Sequence, residues 1–283
     1  MSYNILNTIQ FKTFESDVHH EFIEEGGTLR NTVRVKTTGG ESHQFPIYGA
    51  IRMTEHSVGT EVLQSNPPVS KVTITIKRYA GRVSCDDFLK SEVNYDAIAE
   101  LKPAITGACR RKEDQIIIDA LVAASPSKTV AKNISGSNDN LNVAMIAQAA
   151  LLLDEDGVPD EGRYIVASAR GKHHLTQETD VKTIDTSAVK TLVNGSISSF
   201  YGFDFKFIGN NGAEGGLPLA TNDRTNFAYV RDAIGYVINR DFTMRVEYNA
   251  NTISDEIVMY FSAEAGVIDA SGLVKITTDE SYV

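Results

Sequence analysis

The feature that most constrains this chain is a pair of β-patterned stretches separated by a polar one. Val72, Ile74 and Ile76 alternate with Lys71, Thr73, Thr75 and Lys77, the period of two that marks a half-buried strand. Upstream, Val33 and Val35 alternate with Arg34 and Lys36, Gly39-Gly40 breaks the pattern, and Gln44-Phe45-Pro46-Ile47-Tyr48-Gly49 follows. Between the two lies EHSVGTEVLQSNPPVS (residues 55–70), which carries Val58, Val62 and Leu63 but little other aliphatic mass. The stretch from Thr28 to about Ala80 therefore reads as an extended two-stranded arm. A two-stranded ribbon is marginal alone in water, so the arm must lean on something else.

A second segment has the same need. Residues 8–25 (TIQFKTFESDVHHEFIEE) place Ile9, Phe14, Val18 and Phe22 on about one helical face, and Gly26-Gly27 stop the pattern. Residues 86–124 are the main helical region. Asp86-Asp87 offers a cap, and Pro103 either kinks the helix or starts a new one. Ile105, Ala108, Cys109, Ile116, Ala120 and Leu121 recur at helical spacing, with Arg110, Arg111, Lys112, Glu113 and Asp114 assigned to the opposite, solvated side. Beyond a Ser/Asn/Gly stretch, an Ala-rich helix at 141–153, a strand at 164–168, a helix near 185–194 and a strand at 203–208 suggest a compact α/β unit. The remainder returns to β. Met244, Val246 and Tyr248 alternate with Thr243, Arg245 and Glu247, and Ile257–Phe261 reads as a strand buried on both faces. The fold class is α+β.

The chain holds 27 Lys plus Arg against 37 Asp plus Glu, a net charge of −10. That surface repels phosphates and argues against sequence-reading of nucleic acid. Cys85 and Cys109 form neither a metal spacing nor a disulfide framework and suit a reducing cytoplasm. No apolar run approaches a membrane span and no secretory signal is visible. His19-His20 and His173-His174 are adjacent pairs, which point to different sides of an element and lack a partner at ligand spacing. DEDGVPDEG (154–162) resembles a calcium loop in composition only. GNNGAEGG (209–216) lacks the features of a phosphate loop and reads as a flexible loop. No catalytic residue, cofactor site or metal site is expected.

The order of parts resembles the major capsid proteins of tailed bacteriophages, the Hong Kong 97-like fold. QFPIYG at 44–49 is similar to the entry into the extended loop in coat proteins of short-tailed T-seven-type phages, and Lys71 to Leu121 to that family's passage from loop into spine helix. The resemblance implies an N-terminal arm (1–27), an extended β-hairpin E-loop (28–80), a spine-helix P-domain (81–135), an inserted α/β A-domain (136–239) and closing P-domain strands (240–283). It implies a virion capsid protein, assembled in the bacterial cytoplasm as pentamers and hexamers of one icosahedral shell around double-stranded DNA. The implied partners are a separate scaffolding protein, a portal protein and a decoration protein, with no membrane. Contacts between subunits are expected at Phe11, Phe14, Phe22, Phe45, Tyr48, Val58, Val62 and Leu63. An encapsulin-type compartment shares the fold; an α/β enzyme at 136–239 lacks a clustered reactive set; and the long helix argues against a tail tube subunit.

Overall fold

The computed structural model describes residues 26–59, 61–62, 64–92, 96–124, 126, 128–136, 139–178, 199–209 and 214–281. The expected helices at 8–25 and 185–194, and with them Phe11, Phe14, Phe22 and His19-His20, lie outside the described residues, as does Leu63.

Among the described residues the strands begin with β1 (Arg34–Thr37), a hairpin of β2 (Ser42–Tyr48) and β3 (Val69–Thr75), and β4 (Lys77–Asp86). Helices α1 (Asp87–Glu92) and α2 (Ala97–Ala123) follow, then β5 (Lys128–Val130), α3 (Val143–Glu155), β6 (Arg163–Ser168) and α4 (Ala169–Gln177). The strands that follow among the described residues are β7 (Ser199–Phe200), β8 (Phe203–Ile208), β9 (Leu219–Ala220), β10 (Asp223–Val230), β11 (Ile234–Asn249), β12 (Ser254–Val267) and β13 (Leu273–Asp279). They build a four-stranded sheet, β1-β11-β12-β4, and a second sheet, β5-β13-β10-β6-β8-β7, with β9 on β10. Among the described residues, strands β2 and β3 pair only with each other.

Helix α2 joins the two sheets. Asp96 caps it by accepting from the amides of Ile98 and Ala99, and it runs on through Pro103 rather than ending there. At about 1.5 Å per residue it is roughly 40 Å long. Ile105, Cys109 and Ile116 lie in one core with Ile257, Met259 and Phe261 of β12. Ile116, Ile117, Ile118 and Leu121 are all buried in a cluster that also holds Val166, Phe227 and Tyr229 of the second sheet. Consecutive residues point to different sides of a helix, so this half of α2 packs against both sheets, while Asp119, Val122 and Ala123 stay exposed. Helices α3 and α4 form a separate core on the other face of that sheet, through Met145, Ile146, Leu153 and Leu175.

Several expectations need correction. Glu113 and Asp114 are buried, not solvated, because the chain after Gly27 crosses that side of α2 and Asp114 accepts from the amides of Thr28 and Leu29. Residues 34–37 are not part of the arm, since β1 pairs in parallel with β11 inside the four-stranded sheet. The arm is thus shorter than 28–80. Strand β12 alternates between buried and half-buried at 257–261, with one face on α2 only. Residues 273–279 do not stay with β11 and β12 as closing strands. Strand β13 crosses to lie between β10 and β5, where Leu273, Val274 and Ile276 are all buried; the second sheet thereby recruits residues from outside 136–239.

The end of β13 is held by a buried polar network. Glu280 accepts from Ser168 Oγ and from Arg224, whose Nη2 is 3.0 Å from its Oε2. Arg224 also donates to the carbonyl of Leu217, and Asn226 donates to Thr278. Removing one partner of a buried ion pair strands the other charge. Glu280→Ala is therefore expected to destabilise the folded chain by about 3–5 kcal/mol. Urea unfolding checks this, and a loss below about 1 kcal/mol, the scale of a surface ion pair, would contradict the described burial.

Candidate functional site: the projecting hairpin

The β2–β3 hairpin runs in register from Ser42 opposite Thr75 to Tyr48 opposite Val69. Its base is socketed into the body. Phe45 and Ile74 are buried against Val237 of β11, with Val72, Ile76 and Ile268 packed around them. The floor beneath them consists of Gly235 and Gly266, directly opposite each other across β11 and β12. A Cβ at Gly235 would stand 2.9 Å from the Phe45 ring, and one at Gly266 would stand 3.0 Å from Ile74. The two missing side chains let the arm's base lie flat on the sheet. Arg34 lies over the Phe45 ring at 5.8 Å, and the Ile76 amide donates to Glu41 at 2.8 Å.

Beyond Tyr48 this support ends. Gly49 donates to the Pro68 carbonyl at 2.8 Å, and no helix or strand is formed among the described residues of 50–68. Met53, Val58 and Val62 are 96%, 103% and 74% exposed, while Tyr48, Ile51 and Val69 are also open to solvent. A second exposed apolar group, Val246, Tyr248 and Ile253, sits at the far end of the β11–β12 ribbon.

Of the residues expected to reach a neighbour, Tyr48, Val58 and Val62 are exposed on the arm. Phe45 is corrected: at 3% exposure it belongs to its own subunit's core and has no surface to offer. Ile51 and Met53 were missed, although their alternation with Arg52 and Thr54 is visible in the sequence.

The chemistry of the remaining surface is plain. A groove of about 420 Å³ lies at the foot of the arm among Arg78, Tyr79, Asn239, Arg240, Tyr260 and Phe261, and no carboxylate, histidine or cysteine lines it. Burial first, then the neighbouring Glu264, push the Tyr79 phenol up to about 12, so it stays neutral. Among the described residues no group of three or more His, Cys, Asp or Glu could hold a metal. Arg163 pairs with two carboxylates of the acidic run, Asp154 at 2.7 Å and Asp160 at 2.9 Å. His174 contacts the Leu141 carbonyl at 3.2 Å as a packed side chain. The glycine-rich loop is tethered at its described end, where Glu214 pairs with Lys112 and the Gly215 amide donates to Gln115. No helix among the described residues is long and apolar enough to cross a membrane.

The family model described as phage capsid protein matches residues 6–280. The chain belongs to this phage capsid family. A search of curated proteins finds no match. Among solved structures, the chain is similar to the capsid of cyanophage P-SCSP1u at 18% identity, covering 96% of this chain and 94% of that one, with a TM-score of 0.77. It is similar to a chain of Mycobacterium phage Che8 at 18% identity, covering 95% and 97%, with a TM-score of 0.74. The head of Helicobacter pylori bacteriophage KHP40 matches at 9% identity over 99% and 98%, with a TM-score of 0.74. The shared feature is the fold, mixed α/β and Hong Kong 97-like. This capsid chain is a structural shell protein, and in that setting its exposed arm is the candidate contact element.

The boundary between seat and tip can be tested. Residues 69 and 70 pair with Tyr48 and Ile47, so a short Gly-Ser connector should replace 51–66 and leave those rungs intact. Long surface loops contribute little to a domain's stability. The expected outcome is a melting temperature within a few degrees of the parent, together with loss of regular shells in electron micrographs of particles co-expressed with the cognate scaffold. Regular shells from the shortened chain would remove the arm's tip from the contact surface.

Proposed function

We propose that copies of this chain assemble as pentamers and hexamers into one closed icosahedral shell, and that the arm's tip lies on a neighbouring copy. The observation that carries this reading is the exposure of Met53, Val58 and Val62 on an arm whose base is buried. Burying one such side chain is worth about 1.5–3 kcal/mol, and a cyclic arrangement repeats that gain at every contact. The half-exposed Val246, Tyr248 and Ile253 form a second contact of the same kind.

The shell encloses double-stranded DNA by confinement, and the net charge of −10 favours a lining that does not grip it. The chain has no catalytic role. A separate scaffolding protein sets the curvature, a portal protein takes one vertex, a decoration protein can bind outside, and assembly takes place in the bacterial cytoplasm. The QFPIYG string at 44–49 supports a kinship with short-tailed T-seven-type phages within the family.

Velocity sedimentation of the purified chain at micromolar concentration tests the assembly itself. Capsomers, shells or irregular polymers are expected. A monomer that is stable and insensitive to concentration would contradict it.

A further inference from the structure

Where the first described residues meet α2, Glu113 and Asp241 share the Arg30 guanidinium, and the buried Asp114 stands next to Glu113 on the helix. Glu113 and Asp114 are 2% and 3% exposed. Asp114 is fully engaged: its Oδ2 accepts from the Thr28 amide at 3.1 Å and hydroxyl at 3.2 Å, and its Oδ1 from the Leu29 amide at 3.0 Å. Glu113 is not. Tyr236 of β11 donates to it, yet its Oε1 has no hydrogen-bond partner among the described residues. The nearest cation, Arg30 Nη1, stands 3.5 Å away. Arg30 is already paired twice with Asp241 of β11, Nη1 to Oδ1 at 3.1 Å and Nη2 to Oδ2 at 2.9 Å. The groups facing Glu113 are therefore Arg30 from the turn before β1, Tyr236 and Asp241 from β11, and Asp114 from its own helix.

With every group ionised, the buried Glu113 faces a cation already paired with the exposed Asp241, and the like charge of Asp114 stands beside it. Burying an unbalanced carboxylate with an unfilled lone pair is costly, and a neutral carboxyl costs far less. We propose that Glu113 is a proton-operated catch: neutral, it lets residues 28–33 seat firmly on α2; ionised, it loosens that seat. The seat is the root of the N-terminal segment, so pH would set how tightly that root is held.

The electrostatics agree in direction. Burial pushes the Glu113 carboxyl up, against the opposing pull of Arg30 and Tyr236. Burial also raises Asp114, opposed by the amides of Leu29 and Thr28, whereas the hydrogen bonds from Arg30 lower Asp241. A carboxyl that binds its proton more tightly when folded has no effect below its unfolded value. It then subtracts stability as pH climbs through the folded value. For Glu113 that loss begins above its ordinary 4.5, so this junction loosens with rising pH, the reverse of ordinary acid denaturation.

Amide hydrogen exchange across residues 28–33 tests the catch, in the full chain and in Glu113→Gln held in the same assembly state. Each unit of proton affinity is a factor of ten in the opening equilibrium. After correction for intrinsic rates, protection in the parent is expected to fall roughly tenfold or more between pH 5 and pH 8. Glu113→Gln should keep the parent's pH 5 protection at both. Asp241→Asn releases Arg30 to pair with Glu113, and the pH dependence should shrink. A parent profile as flat as that of Glu113→Gln would overturn the proposal. So would weaker protection in Glu113→Gln than in the parent at pH 8, which would make the ionised pair with Arg30 stabilising. If Glu113→Gln does not fold, Asp241→Asn decides alone, and a pH dependence equal to the parent's counts against the catch.

Discussion

The arrangement depends on one contact, the seating of Phe45 and Ile74 on the paired glycines Gly235 and Gly266. An arm of two strands has too little apolar surface to fold alone. Here its stability is borrowed from a sheet that is already fixed on both sides. Strand β1 lies beside β11, and β4, which continues the chain after the arm, lies beside β12. The arm therefore leaves the body in a defined direction while Met53, Val58 and Val62 near its tip stay exposed.

That sheet is held by α2, which packs against both sheets. A helix wedged into two sheets over its second half cannot shift against one without disturbing the other. The polar groups trapped in this packing follow one rule. Asp114 is satisfied by the backbone that crosses it, and Glu280 by Arg224 and Ser168, as buried polar groups require. Among the described residues Glu113 is the exception, and it lies where the N-terminal segment reaches the helix.

Much of this was legible in the sequence, for identifiable reasons. Strand alternation at 71–77 gave β3, and helical spacing from Ile105 to Leu121 gave α2. The shortage of apolar residues between the β stretches gave the exposed tip. Pattern failed where long-range pairing decides the outcome. Val33 and Val35 alternate as they would in a free hairpin, and only the partner β11 puts them in the body. Nothing local marks residues 273–279 for the second sheet. Glu113 and Asp114 sit in a charged run that reads as solvated, and their burial follows from a backbone contact 85 residues away, at Leu29. On the arm, three residues named from the sequence, Tyr48, Val58 and Val62, are exposed. The sequence reading misjudged Phe45 because an aromatic at the foot of an arm looks the same whether it faces a neighbour or its own core.

The central claim is that the arm is satisfied by its own subunit at the base and by another copy at the tip. Amide hydrogen exchange compared between dissociated subunits and assembled shells addresses it most directly. Amides of the β2–β3 ladder should be protected in both states, and those of residues 50–66 should exchange freely in subunits and become protected only in shells. A tip already protected in the isolated subunit, or still freely exchanging in the shell, would contradict the account.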